Sequence, residues 1–170
     1  GTSNANPHPD RGQTCIYIEA NGLGHVVDCG DGAATRLWLD RDIDWAVLRA
    51  LLVTHLHPDH ASGAFALLHL LHQRAKENPS WGIHDREAFK LCVPDGKGAH
   101  RFTQVLGALH VDRDMLAYNL NYEYYRAGMV FTAGGLKVAA YLTSYCEEAH
   151  CLCLEAEGRG HYVGCNLSIL

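Results

Sequence analysis

Apolar and polar positions alternate in the first part of the chain, which predicts short strands. Two such stretches flank Asn21-Gly22, a dipeptide that favours the tight turn of a β-hairpin. The apolar run Leu51, Leu52 and Val53 indicates a further, buried strand. We therefore expect a loop at 1–13, strands at 15–20, 25–29 and 51–53, and short helices at 33–39 and 45–49, the second capped by Asp44.

Helical periodicity replaces this alternation in the middle of the chain. Apolar residues recur every three or four positions over 64–77 and again around 102–109, which predicts two amphipathic helices. His69 and His72 lie three apart on the first helix, a spacing that suits two metal ligands, but the leucines around them favour half-buried structural positions. The remaining strands are expected at 90–93, 122–126, 129–132, 136–142, 151–155 and 161–164.

Four tyrosines cluster near one of these strands, namely Tyr118, Tyr122, Tyr124 and Tyr125. They could stack on a bound base or ring, but we favour packing on a strand face.

Strands with inserted helices, and hairpins at each end, predict a mixed α/β sandwich instead of a doubly wound sheet. A length of 170 residues fits a single domain over 1–170, and 48% hydrophobic residues are ordinary for a globular protein. The net charge of −5 argues against a nucleic acid held by a general basic field, although a local basic patch stays open. The sequence shows no secretory signal and no membrane segment, so we expect a cytoplasmic protein.

The seven cysteines, with no secretory signal, indicate thiols in a reducing compartment instead of a disulfide framework. Most lie in apolar stretches, where a thiol behaves as a small buried hydrophobe. The cysteines in such stretches are Cys15, Cys29, Cys92, Cys151 and Cys153.

The strongest chemical signal is the motif His-Leu-His-Pro-Asp-His that follows the strand at 51–53. Imidazole and carboxylate ligands suit zinc, manganese or iron(II). His55 and His57 are two apart, so on an extended chain they share a face and can hold one ion. Pro58 disfavours helix at its predecessor and predicts a turn that directs Asp59 and His60 towards a second ion. A single histidine is more often a structural residue than a ligand, but four such side chains in six residues favour a metal site.

With these residues the chain resembles the metallo-β-lactamase superfamily, in particular its phosphodiesterase and ribonuclease Z-like branch. The most specific match is the metal motif with its flanks, residues 54–63. The resemblance implies an α/β fold of the αββα sandwich type, here incomplete at both ends. Further matches are Gly1-Thr2 with Pro7, Asp28-Cys29-Gly30, and the segments 135–141 and 162–166, which are similar to strands that carry later metal ligands.

The resemblance also implies a mechanism and a set of roles. In this family two ions, usually zinc, share a hydroxide that attacks a phosphodiester, ester or amide. His55 and His57 would hold the first ion, and Asp59 and His60 the second, with Asp59 also orienting the attacking water. Asp28 would fix the tautomer of an imidazole. We expect a phosphodiester substrate of the RNA or cyclic nucleotide type, and a homodimer is the default expectation for assembly.

Two further ligand positions of the family hold other residues in this chain. Tyr145 or Cys146 falls where the family has a third histidine, and Cys165 falls where it has a metal-bridging aspartate. A thiolate binds zinc well but bridges with a different geometry. Cys165, His150 or Cys146 would then complete a mononuclear site. Two hypotheses follow: a metal-dependent hydrolase, or a catalytically impaired relative retained as a binding or structural subunit.

Overall fold

The computed structural model describes residues 5–6, 8–78, 88–111, 114–146 and 148–164. Strands and helices alternate at first, and strands follow one another towards the end. None of the helices in the described ranges is long and apolar enough to span a membrane. In chain order the elements are β1 (Cys15–Ala20), β2 (Leu23–Cys29), α1 (Ala33–Leu39), a 3-10 turn (Trp45–Val47), β3 (Leu48–Leu52), α2 (Pro58–Ala61), α3 (Ala64–Glu77), β4 (Phe89–Pro94), α4 (Lys97–Ala108), β5 (Leu120–Tyr125), β6 (Val130–Ala133), β7 (Leu136–Leu142), β8 (His150–Ala156) and β9 (Arg159–Val163).

The strands form two sheets that pack face to face. The first has the order β1-β2-β3-β4-β5, antiparallel between β1 and β2 and parallel elsewhere. The second is antiparallel, with the order β6-β7-β8-β9. Leu51 packs into a core with α1, α3 and α4, whereas Leu52 packs into a second core between the sheets. Because β3 is covered on both faces, its last three residues, 50–52, are apolar without alternation. The predicted mixed α/β sandwich is confirmed.

The hairpin prediction is confirmed, although its second strand begins at Leu23 and not at residue 25. Asn21 and Gly22 form the two-residue connection, with φ angles of 53° and 69°. Positive φ at both positions is the requirement of a type I′ turn, which asparagine and glycine meet at low cost. The strands at 15–20 and 136–142 and the helices at 33–39 and 64–77 also have their predicted bounds.

Two local predictions were wrong. The helix expected at 45–49 is a single 3-10 turn, in which the Asp44 Oδ1 accepts a hydrogen bond from the Ala46 N–H at 2.8 Å. It ends early because Leu48 is buried and pairs with Gly24 as the first residue of β3. The turn expected at Pro58 is the one-turn helix α2, because proline is well tolerated at the first helical position.

A β-bulge interrupts the hairpin beside the metal motif. Cys15 pairs with Cys29 but Ile16 pairs with Val27, so Asp28 is the extra residue. Its φ angle is 56°, which is unusual for a residue other than glycine. Bulges redirect a side chain out of the regular alternation. Here the bulge directs the Asp28 carboxylate to the loop that follows β3.

Candidate metal centre

The Asp28 carboxylate organises the end of the parallel sheet. Its Oδ1 accepts a hydrogen bond from the Thr54 backbone N–H at 2.7 Å, and its Oδ2 accepts one from the Thr54 hydroxyl at 2.8 Å. Asp28 and Thr54 are 2% and 0% exposed. Buried polar groups that satisfy one another in this way fix the path of the chain. The metal motif therefore leaves β3 in a defined direction.

The same carboxylate orients His60. The Nδ1 of His60 lies 2.7 Å from the Asp28 Oδ2, and its Nε2 lies 3.7 Å from an Asp59 carboxylate oxygen. A carboxylate can only accept, so the His60 Nδ1 carries the proton in this hydrogen bond. With Nδ1 as the donor to Asp28, the other ring nitrogen, Nε2, is the one that faces Asp59. This is the arrangement in which carboxylates support metal-binding histidines.

His55 presents a buried nitrogen that has no hydrogen-bond partner among the described residues. The Thr54 hydroxyl lies 3.1 Å from the His55 Nδ1, and its single proton is used by Asp28, so Nδ1 donates to Thr54. The His55 Nε2 is then a bare lone pair, and it is buried without a partner. Burial, followed by the nearby His60 and His57 rings, lowers the pKa of His55 to about 4. The ring is therefore neutral near pH 7.

Three imidazoles meet at this point. The His55 ring centroid lies 4.6 Å from that of His57 and 4.0 Å from that of His60. His55 and His60 are buried and His57 is exposed, so the cluster reaches the surface at His57. Asp59 is 9% exposed and belongs to the same group through His60. Four of the predicted site residues are thus brought together.

Two segments that are distant in sequence contact the backbone of the metal motif and hold it in place. The Asp59 carbonyl accepts a hydrogen bond from the Thr14 N–H at 3.2 Å, and a Cβ at Gly30 would collide with the same carbonyl. The Gly63 N–H donates to the Cys29 carbonyl at 2.8 Å. These contacts place α2 directly against the end of β2.

The connection between β7 and β8 forms the opposite wall of the site. A cleft of about 270 Å³ is lined by Cys146 and Glu148 together with His55, Leu56 and His57. Beside it, the Tyr145 ring lies 5.5 Å from the His55 ring and 5.8 Å from the His57 ring, edge to face.

Glu148 is a site residue that sequence reasoning missed. Its carboxylate lies over Gly96 and Gly98, at the N-terminal end of α4. Negative charge is favoured at a helix N-terminus. No local pattern marks this residue, because the contact joins segments about 50 residues apart.

The other predicted ligands stand differently. His150 donates its backbone N–H to the Thr54 carbonyl at 3.1 Å, but its ring contacts Tyr125 and its Nδ1 donates to the Glu148 carbonyl at 2.9 Å. Cys165 lies outside the described residues.

On α3, His69 is exposed, and the His72 Nδ1 accepts a hydrogen bond from the Ala117 N–H at 2.8 Å, which is a structural contact. His69 was therefore wrongly predicted to be half-buried.

The described side chains, in their present positions, do not form a complete metal site. Among the described residues, no three His, Cys, Asp or Glu side chains are arranged to surround a single ion. The bare, buried His55 Nε2 nevertheless fits a metal ligand, since an orphaned buried acceptor is costly unless something binds it. The rings of His57 and His60 are its nearest imidazole neighbours, with centroids 4.6 Å and 4.0 Å from that of His55.

Comparison with known proteins decides the family. The sequence model of the Metallo-beta-lactamase superfamily matches residues 8–119. The chain belongs to this superfamily. The match spans β1 to the residue before β5 and includes the Asp28 bulge and the metal motif.

Two curated relatives are similar to part of this sequence. It is 34% identical over 79 residues to Ribonuclease Z of Salinibacter ruber, a match of 46% of this chain and 24% of the relative, and 35% identical over 68 residues to Ribonuclease Z of Ignicoccus hospitalis, a match of 40% and 22%. The chain thus spans about a quarter or less of the length of these curated relatives.

Solved structures share the fold at low sequence identity. The short form of human tRNase Z superposes with a TM-score of 0.71 at 16% identity, covering 100% of this chain and 68% of that one. The metallo-beta-lactamase fold protein YhfI from Bacillus subtilis gives 0.70 at 15% identity, covering 94% and 57%. The predicted metallo-β-lactamase-like fold is therefore confirmed.

Proposed function

We propose that this chain carries the metal-binding part of a metal-dependent hydrolase that cleaves phosphodiester bonds. The observation that carries the proposal is the His55 Nε2, a buried lone pair without a hydrogen-bond partner inside a cluster of three imidazoles. His55 and His57 would hold one ion, and Asp59 and His60 would hold a second. When bound, such ions lower the pKa of water and stabilise the negative charge that develops during hydrolysis.

The protein side chains have separate tasks in this proposal. Asp28 keeps the His60 proton on Nδ1, so that Nε2 is available as a ligand. Thr54 does the same for His55. Asp59 lies beside the His60 Nε2, where its carboxylate would orient an attacking water and take up its proton. His150 and Cys165 stay predicted additional ligands.

The substrate proposal is RNA. It is supported by the relatives named Ribonuclease Z, whose similarity to this chain covers 40–46% of its length. A cyclic nucleotide is the alternative phosphodiester, and it fits the small cleft of about 270 Å³ beside His57. Cleavage of a single-stranded RNA oligonucleotide and of a cyclic nucleotide by the same preparation separates the two substrates.

A paired measurement of metal content and turnover tests the proposal. After loading with zinc or manganese and dialysis, elemental analysis should find one to two ions per chain, and bis(p-nitrophenyl) phosphate should be hydrolysed. His57→Ala should lose the turnover, because an exposed ligand is removed without loss of core packing. The matched control is His69→Ala, an exposed histidine on α3 outside the site. Equal rates in all three proteins would refute the assignment.

A second candidate function is supported by Tyr145. Its ring, 47% exposed, stands against His55 and His57 at the place where the resemblance expects a ligand. A chain that retains part of the ligand set is suited to bind a metal or a substrate without turning it over. Stoichiometric metal with no hydrolysis of any of the three substrates would favour this binding or structural role over the hydrolase.

A further inference from the structure

Two cysteines lie directly opposite each other on β1 and β2. Cys15 pairs with Cys29, and the Gly30 N–H donates to the Thr14 carbonyl at 2.9 Å beside them. That hydrogen bond flanks the pair, so the two cysteines occupy a non-hydrogen-bonded site of the ladder. At such a site the Cα atoms are about 4.5 Å apart, within the range of about 4.4–6.8 Å that a disulfide accepts. The register therefore places the two cysteines at a position of the ladder that suits a disulfide.

The bulge at Asp28 brings both thiols to one face of the sheet. Val26 packs towards the helices, so in a regular strand residue 29 would point to the opposite face. With the extra residue, Cys29 packs into the helix-side core, and Cys15 packs against that core too. The Cys29 thiol donates a hydrogen bond to the Cys15 sulfur, which lowers the pKa of Cys15 and raises that of Cys29.

The two thiols differ in access from solvent. Cys29 is 0% exposed. Cys15 is half-buried and lines a cleft of about 330 Å³ together with Tyr17 and Arg36. A small reagent can therefore reach Cys15 directly and Cys29 only through Cys15. This asymmetry separates an attacking thiol from a resolving thiol.

We propose that Cys15 and Cys29 form a redox-active dithiol that a hydroperoxide oxidises to a disulfide. The Cys15 thiolate attacks one peroxide oxygen, the O–O bond breaks, and the other oxygen leaves as water or an alcohol after taking up a proton. The Cys29 sulfur then attacks the sulfenic acid on Cys15, the S–O bond breaks, and water leaves with the Cys29 proton. Two thiols and one hydroperoxide thus yield a disulfide, one water, and a second water or an alcohol.

Peptide masses of the full chain test this proposal without any substitution. Trypsin cleaves after Arg11 and Arg36, so both cysteines lie in the single peptide 12–36. After equimolar hydrogen peroxide, unfolding and alkylation, this peptide should be lighter by two hydrogen atoms and carry no alkyl group. Dithiothreitol should restore two alkylation sites. Peptide 138–159, with three cysteines, is the internal control and should stay alkylated, since Cys151 and Cys153 pair with Tyr141 and Ala139 across the ladder and not with another cysteine.

Two variants separate the roles of the thiols. In Cys29→Ser, Cys15 should stop at the sulfenic acid, which dimedone traps as a mass gain on peptide 12–36. In Cys15→Ser, Cys29 should stay reduced because peroxide cannot reach it. Two alkyl groups on the wild-type peptide 12–36 at a peroxide dose that oxidises peptide 138–159 would overturn the proposal. So would a disulfide that links Cys15 to any other cysteine.

Discussion

The two sheets contribute to the candidate site in different ways. The first supplies Asp28, Thr54, His55 and His60, which are buried and joined by hydrogen bonds of 2.7–3.1 Å. The second supplies the connection between β7 and β8, where Tyr145 is 47% exposed. The first side is rigid before any ligand arrives, and the second side meets the solvent. We therefore expect substitutions on the first side to affect stability and those on the second to affect binding alone.

The largest effect is expected for Asp28→Ala. It leaves the Thr54 N–H and the His60 ring without their acceptor in a buried place. The free energy of unfolding should fall by about 3–4 kcal/mol, the range for breaking a buried charged hydrogen-bond group. Urea denaturation measures it, with the exposed Asp114→Ala as control. A loss no greater than that of the control would show that the first sheet does not organise the site.

A smaller loss of stability is expected for Gly30→Ala. The added Cβ would collide with the Asp59 carbonyl, so α2 must move. Overpacking of this kind costs about 1–3 kcal/mol, and zinc binding should weaken with it. Gly160→Ala is the matched control, because its Cβ would meet only the Cys153 sulfur at 3.5 Å, an ordinary contact. If zinc affinity were unchanged in Gly30→Ala, the position of α2 would not affect the metal site.

The pH dependence of stability should report on His55 next. Its pKa of about 4 in the folded chain lies below the unfolded value of about 6.5. The unfolded state therefore binds more protons between these values, so stability should fall as the pH drops from about 6.5 to about 4, by on the order of 2 kcal/mol. Urea titrations of the metal-free chain in chelator measure this slope. In His55→Gln the slope should be shallower, and an unchanged slope would contradict a buried neutral His55.

The smallest effect on stability is expected for Tyr145→Ala. Truncation of an exposed side chain usually costs about 0.5 kcal/mol or less, and Tyr145 is 47% exposed. Zinc affinity, by contrast, should respond to Tyr145→His, which adds an imidazole beside His55 and His57 and should tighten binding. Urea denaturation of Tyr145→Ala measures the first effect, and isothermal titration of Tyr145→His with zinc, against the wild type, measures the second. If Tyr145→Ala lost as much stability as Asp28→Ala, the two sheets would not differ in how their site residues affect stability.

Local patterns predicted the elements but not the contacts between them. Asn21-Gly22 and the run 51–53 announce a turn and a buried strand because the requirements are local. The bulge at Asp28 depends on contacts of β2 with the rest of the sheet. The alternation of residues along the strand does not predict it. Glu148 enters the site through the packing of the β7–β8 connection on α4, which is equally invisible in the sequence. The early end of the 3-10 turn follows from tertiary burial of Leu48, which overrides local propensity.

The most direct test of the metal site is an anomalous difference map at the zinc edge from crystals grown with zinc. We expect a peak about 2.0–2.1 Å from the His55 Nε2, the usual length of a zinc–imidazole bond, with His57 as a second ligand. A zinc peak elsewhere, with the His55 Nε2 still without a partner, would contradict this expectation.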